Sequence, residues 1–373
     1  MRLSPPAALV LLSLGAPSAL AQQGPLRIGL SAPLTGPDAG FGQGMRLGAE
    51  QAVADINRNG GVAGRKLALV VADDAGDGKQ GAAVAKRFAA DRIGLVVGPL
   101  STIVAAVAAP VYEEAGIVTV TPGATGAALT GRGWWNLLRL GASDAQQAAT
   151  AAAYLNERFA GRRIGIVHDR TTFGRGLADA VSRALKARGN GEAAFLGLQK
   201  GAKDAADVLA PLKDARVEAV YFGGLAQEGA VLAKGLREAG LDAVLIGSDG
   251  LLDKDFPAIA GPAAEGTVMT LPADPRKLPE PKGKPAGRTP ETDAFAGQGY
   301  AAVEVLARGV ERAKSAEGRK VAAALRDGAP LRLSTGEVAF DAKGDLARPD
   351  IQIRVWRRTP DGRLDYAGNE SAP

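Results

Sequence analysis

From Leu26 onward, short runs of apolar residues alternate with longer stretches in which apolar positions recur at helical spacing. Residues 27–32 (RIGLSA) read as a first strand, and Met45, Ala49, Ala52, Val53 and Ile56 then line one face of a helix that Gly60-Gly61 stops. The pattern predicts strands at 66–73 (KLALVVAD), 93–97 (IGLVV) and 117–121 (IVTVT), with helices at 80–90 and 102–115 between them. Strands written as continuous apolar runs, each followed by a helix, are what a parallel sheet covered on both faces requires.

The rhythm then restarts. Helices are predicted at 145–160, 176–188, 205–215 and 227–239, and strands at 163–167 (RIGIV), 193–196, 219–222 and 243–246. Between 272 and 290 the composition shifts to Pro, Lys and Gly, the mark of an exposed loop. Helices at 294–315 and 319–327 follow, and 331–367 reads as short strands and turns. The expected fold class is α/β, with two doubly wound parallel-sheet units in one chain of 373 residues, a length that itself suggests two domains.

The first residues change the picture of where the chain works. Arg2 supplies a basic start, 7–14 (AALVLLSL) an apolar core, and Ala19-Leu20-Ala21 a small-residue cleavage site, so 1–21 read as a secretory signal peptide cut after Ala21. That apolar run is far shorter than the ~20 residues a membrane helix needs. The chain has no cysteine, which removes disulfides and a lipid-modified N-terminal cysteine; a chain this long can bury enough surface without them. The net charge of +5 is spread, with basic and acidic residues side by side as in Glu157-Arg158 and Lys213-Asp214. A nucleic-acid surface would gather Lys and Arg on one face with aromatics among them. An exported, soluble, monomeric protein with no nucleic-acid partner is expected.

Enzyme chemistry finds few residues to use. One histidine and no cysteine leave no zinc-finger or two-histidine metal motif, and neither a G-x-S-x-G elbow nor a phosphate-binding G-x-x-x-x-G-K-[ST] loop is present. His168, in IVHDR, is expected to bond backbone in a strand-to-helix turn. Gly40, Gly42 and Gly44 lack the spacing and the position of a dinucleotide fingerprint. Asp73 and Asp74 are adjacent at a strand end and so point to opposite faces, which favours turn or capping roles over a carboxylate dyad. The reading is a protein that is not an enzyme and uses no metal or cofactor.

Binding chemistry is better supplied. Open parallel sheets bind ligands beyond the carboxyl ends of their strands, where helix N-termini add partial positive charge. Ser101 and Thr102 follow the third strand, Gly123 and Thr125 the fourth, and Asp249 ends a strand of the second unit. Hydroxyls and free N–H groups can clasp a carboxylate, and Asp249 can pair with an ammonium group; taken alone, Ser and Thr after strands are most often plain helix caps.

Five segments together resemble the leucine/isoleucine/valine-binding proteins, type I periplasmic receptors of ABC importers. They are APLTGPDAGFGQGMRLGAEQAVADINRNGGVAG (32–64), VTPGATGAALTGRG (120–133), IGIVHDRTTFGRGLA (164–178), YFGG (221–224) and GYAAVEVL (299–306). The resemblance covers essentially the whole chain after the signal region. It implies two lobes joined by a three-segment hinge and closing on ligand in the interlobe cleft: 25–143 plus 273–345, and 144–272 plus 346–373. It further implies that Thr102 bonds the ligand carboxylate, and that Gly123 and Thr125 hold the carboxylate and amino ends. Ser101 stands beside Thr102 in the same loop, and Asp249 stands where the family pairs a glutamate with the ammonium. Phe41 and Tyr300 fall at aromatic wall positions, and Phe173 and Leu225 where familiar members carry tyrosines.

The departures have physical consequences. Gly76 and Ser101 stand where a familiar member has a disulfide, so that crosslink is absent. Asp249 is a methylene shorter than glutamate, and Phe173 and Leu225 lack the tyrosine hydroxyls, which makes the second lobe's wall less polar. The expectation is a receptor for a branched-chain or other aliphatic amino acid, with permease subunits as partners in the periplasm. The alternatives are a same-fold receptor for an amide, urea or aromatic carboxylate, a sensory module, and, least supported, a secreted α/β enzyme.

Overall fold

The computed structural model describes residues 24–253, 255–272 and 290–366. The first lobe opens with β1 (Leu26–Ala32), α1 (Ala39–Arg58), β2 (Leu67–Asp73), α2 (Gly78–Ala90), β3 (Leu95–Val97) and α3 (Thr102–Glu114). It continues through β4 (Val118–Thr121), α4 (Ala127–Gly131) and β5 (Leu137–Arg139). The strands form one parallel sheet in the order β2-β1-β3-β4-β5.

The second lobe runs from α5 (Asp144–Arg158) through β6 (Ile164–His168), α6 (Thr172–Lys186), β7 (Glu192–Gly197), α7 (Ala206–Asp214) and β8 (Ala219–Gly223). It then adds α8 (Ala226–Glu238), β9 (Val244–Gly247), α9 (Asp255–Ala260) and β10 (Val268–Pro272). After α10 (Pro290–Ala313), α11 (Gly318–Leu325) and the hairpin of β11 (Leu331–Leu333) and β12 (Gly336–Val338), β13 (Ile351–Val355) joins this sheet antiparallel to β10. Its order is β13-β10-β9-β8-β6-β7, and β14 (Arg357–Arg358) pairs with β15 (Leu364–Asp365) beside it.

Both sheets are covered on two faces. In the first lobe Ile28 and Leu30 of β1 pack with α1, α10 and α11, while Val96, Phe88 and Tyr112 fill the α2–α3 side. In the second, Val220 and Phe222 of β8 face α7 and α8, and the alternate residues Ala219 and Tyr221 face α5 and α6. The chain passes between sheets at residues 140–143, between β10 and α10, and between Leu346 and β13. The Pro-rich segment before α10, the signal-peptide reading at 1–21 and the last seven residues lie outside the described residues.

Local signals set the starts of α2, α3, α5 and α6. Asp77 caps α2 by accepting from Gln80 N at 2.9 Å, Thr171 caps α6 by accepting from Gly174 N at 3.0 Å, and Ser143 with Gln146 forms a capping box on α5. Asp73 and Asp74 serve a turn, as their adjacency implies: Asp73 accepts from Leu34 N and Ala75 N, and Asp74 from Ser31 Oγ and Gly76 N. α1 begins well before Met45, because the buried Gly42 and Gly44 let the helix start seat closely on its neighbours despite poor helical propensity.

α1 and α10 approach each other through glycines. A Cβ at Gly48 would lie 1.8 Å from the Ala296 carbonyl oxygen, and one at Gly299 2.2 Å from that of Met45. Gly48→Val therefore forces two helices apart, and a loss of about 1–3 kcal/mol is expected, read as a lower melting temperature by circular dichroism. An unchanged melting temperature would mean that the helices slide apart freely.

Candidate functional site

Each sheet has one place where strand order reverses, between β1 and β3 in the first lobe and between β6 and β8 in the second. Ligands of open α/β sheets bind outside the carboxyl ends of strands at such points. The segments that leave these strands and the neighbouring β4 and β9 carry Phe41, Thr102 and the 122–126 loop on one side, and Phe173, Leu225 and Asp249 on the other.

On the first-lobe side, Thr102 opens α3. Its Oγ1 accepts from Gly126 N at 3.1 Å, which leaves its own hydrogen free to donate. Ala124 N is taken by Thr121 Oγ1 at 3.1 Å, whereas the Gly123 and Thr125 amides have no partner among the described residues. Phe295 of α10 covers this loop, since a Cβ at Gly123 would lie 3.0 Å from its ring. Phe41 meets Phe295 edge to face, with centroids 5.6 Å apart and planes at 81°.

The second-lobe side is acidic. Asp249 opens a 3-10 turn after β9 and is only partly screened from solvent, yet protein surrounds it closely. Gln147 Nε2 donates to Asp249 Oδ1 at 3.0 Å, and Thr270 Oγ1 of β10 donates to Gln147 Oε1 at 3.1 Å. Desolvation still raises the Asp249 carboxyl above its usual range, against the opposing bonds from Gln147 and Ser248. The Phe173 ring lies against Gly250, where a Cβ would sit 3.3 Å from it, and Leu225 stands at the start of α8, 44 % exposed.

Asp144 joins the two sides. It is the first residue of α5 and is buried, its N–H donates to the Thr125 carbonyl at 2.9 Å, and the Thr125 hydroxyl stands beside its carboxyl. Burial raises its pKa to about 6, helped by the nearby Asp249 and opposed by Thr125 and Arg139. The Tyr221 hydroxyl is buried without a partner among the described residues, close to both carboxylates, which push its pKa up further after desolvation. Donors, carboxylates and apolar rings gathered at these strand ends suit a small zwitterion with an apolar substituent.

The sequence profile of the periplasmic binding proteins matches residues 25–360. The chain belongs to that family. A Leu/Ile/Val-binding protein homolog of Brucella melitensis is 37 % identical over 344 residues, covering 91 % of this chain and 92 % of that protein. The Leu/Ile/Val-binding protein BraC3 of Rhizobium johnstonii is 41 % identical over 335 residues, with 89 % and 91 % covered. Among solved structures, the leucine-binding protein LivK of Thermotoga maritima superposes with a TM-score of 0.72 at 22 % identity, covering 91 % of this chain and 97 % of that one. The type I fold of two parallel-sheet lobes is shared with it.

In this periplasmic binding protein the expected site residues divide into two groups. Thr102, Gly123, Thr125, Asp249, Phe41, Phe173 and Leu225 all lie on segments leaving the strand ends just described. Two others have different work. Tyr300 is 5 % exposed in the core between α1 and α10, and its hydroxyl donates to Asp55 Oδ2 at 3.0 Å near the far end of α1. The aromatic residue of α10 that meets the crevice is Phe295. Ser101 Oγ accepts from Val104 N at 3.3 Å as the cap of α3, so the hydroxyl directed at the loop is that of Thr102. Asp144, Gln147 and Tyr221 are additions that the sequence reading lacks. The signal for the first two was their spacing of three on a capped helix, which puts them on one face.

Proposed function

We propose that the chain is a periplasmic receptor that binds an aliphatic L-amino acid of the branched-chain class and delivers it to the permease of an ABC importer. The observation that carries this reading is the gathering of donors and carboxylates at the strand ends of the two lobes. The donors are the Thr102 hydroxyl and the amides of Gly123 and Thr125, unpartnered among the described residues; the carboxylates are Asp249 of the second lobe and Asp144, whose N–H bonds the Thr125 carbonyl where the lobes meet. The first set takes the ligand carboxylate and the second its ammonium group, while Phe41, Phe295, Phe173 and Leu225 contact the side chain. The closing bodies are 25–143 with 273–345 and 144–272 with 346–373; the hydrophobic clusters divide near these boundaries, with Leu346 packing in the first lobe. Binding by such groups leaves the ligand chemically unchanged, and the names of both relatives, a Leu/Ile/Val-binding protein homolog and a Leu/Ile/Val-binding protein, agree with it.

A thermal-shift screen tests the proposal, because a ligand held only by the folded state raises the melting temperature. Leucine, isoleucine and valine are expected to raise it, and urea, aliphatic amides and benzoate are not. Stabilisation by amides or aromatic acids alone would replace the proposed ligand class. Thr102→Ala is expected to weaken every carboxylate ligand by about 1–3 kcal/mol, the cost of leaving a desolvated acceptor short of a donor. Calorimetry reads this directly, and unchanged affinity would move the carboxylate elsewhere.

A further inference from the structure

Arg139 ends β5 and is fully buried, an expensive place for a guanidinium. Every arm of its fork is used. Nη1 donates to the carbonyls of Ala124 at 2.7 Å and Gly126 at 3.0 Å, Nη2 to Thr130 Oγ1 at 2.9 Å, and Nε to Asp345 Oδ1 at 2.8 Å. Thr130 Oγ1 in turn donates to Asp345 Oδ2 at 3.0 Å and closes a ring of three side chains. A hydrophobic residue of similar volume would fill the same space without burying a charge. What such a residue could not do is grip two carbonyls of the glycine-flanked loop 123–126.

Those two bonds have a directional consequence. In a trans peptide the carbonyl and the following N–H point in opposite directions within one plane. Drawing the Ala124 carbonyl inward onto Arg139 therefore turns the Thr125 N–H outward, and this amide has no partner among the described residues. Asp345 extends the grip to the third crossing. Its neighbour Leu346 accepts from Gln146 Nε2 at 2.8 Å, and Gln146 completes the capping box at the first crossing. The Arg139 N–H also donates to the Gly344 carbonyl at 2.7 Å.

We infer that Arg139 is a positioning residue: through Ala124 it aims the Thr125 amide that receives the ligand carboxylate, through Gly126 it holds the end of the loop, and through Asp345 it ties that loop to the hinge. This rests on the amino-acid-receptor reading for the identity of the ligand but not for the order of the loop.

The test uses the full chain with Arg139→Lys, which keeps the charge and loses the fork, and Thr130→Val, a milder change of similar volume should the first fail to fold. Hydrogen exchange of the ligand-free protein is expected to speed up at least tenfold across 121–131 and to stay unchanged across 296–310. Calorimetry with leucine and with leucinamide, which lacks the anionic carboxylate, is expected to show the preference for leucine falling at least tenfold. General loosening of the fold would weaken both ligands equally, so an unchanged ratio overturns the inference. Should the wild-type chain bind no amino acid, the function reading fails and the exchange arm still decides: unchanged exchange at 121–131 overturns positioning, and faster exchange confined there upholds it.

Discussion

Asp249→Asn is expected to weaken the binding of α-amino acids by about 2–4 kcal/mol, on the order of a hundredfold in dissociation constant. Asparagine keeps the shape and can still accept from Gln147 Nε2, which donates to Asp249 Oδ1 at 3.0 Å. It replaces the remaining carboxylate oxygen with an NH2 group that meets the ligand ammonium donor to donor. The loss combines a missing charge with a buried donor left unpaired, and removing one partner of an enclosed ion pair is usually costlier than the pair's net worth. Calorimetry with leucine checks it. Unchanged affinity would leave Asp144 as the sole partner of the ammonium group.

The second large effect is pH dependence from Asp144, whose pKa burial lifts to about 6 in the ligand-free protein. An ammonium group is held by the ionised carboxyl, so affinity should rise between pH 5 and 7 and binding near pH 6 should release a proton. Asp144→Asn should flatten this profile and weaken binding most at pH 7.5. Without ligand the sign reverses. A carboxyl with a folded-state pKa above its unfolded value favours folding when protonated, so its contribution is full below pH 4 and is lost as pH rises through 6. The ligand-free protein should thus melt higher near pH 5 than near pH 7.5 as far as Asp144 is concerned, while ligand-induced stabilisation should grow over the same interval. A pH-independent affinity in the wild type would assign the ammonium group to Asp249 alone.

Much of this molecule is legible in the chain because its strands are buried on both faces and read as plain apolar runs. The residues that follow them, Thr102 after β3 and Asp249 after β9, inherit their place in the crevice from that pattern. Elements that carry function inside themselves are harder to read. β5 is only Leu137–Arg139, and its buried Arg139 breaks the apolar run that would announce it. β10 contains Thr270 and ends at Pro272, where composition turns loop-like, so the strand that steadies Gln147 is masked. Asp144 and Gln147 look like an ordinary solvated first helical turn until the fold buries them. Phe295 and Tyr300 are both aromatic on one helix, but five positions at about 100° each turn them roughly 140° apart. Only one can reach the crevice, and hydrophobic spacing does not say which.

The series from Thr270 through Gln147 to Asp249 also has a polarity. Because Thr270 Oγ1 donates to Gln147 Oε1, the amide cannot turn over without leaving an oxygen unmet, and Nε2 stays directed at the carboxylate. When ionised, Asp249 therefore has its other oxygen as a pure acceptor. A branched-chain 2-keto acid matches the amino acid in carboxylate and side chain but presents a carbonyl oxygen where the ammonium would be. Oxygen would then meet oxygen in an enclosed space. Such a keto acid should be refused, and acid conditions that place a proton on Asp249 should relax the refusal.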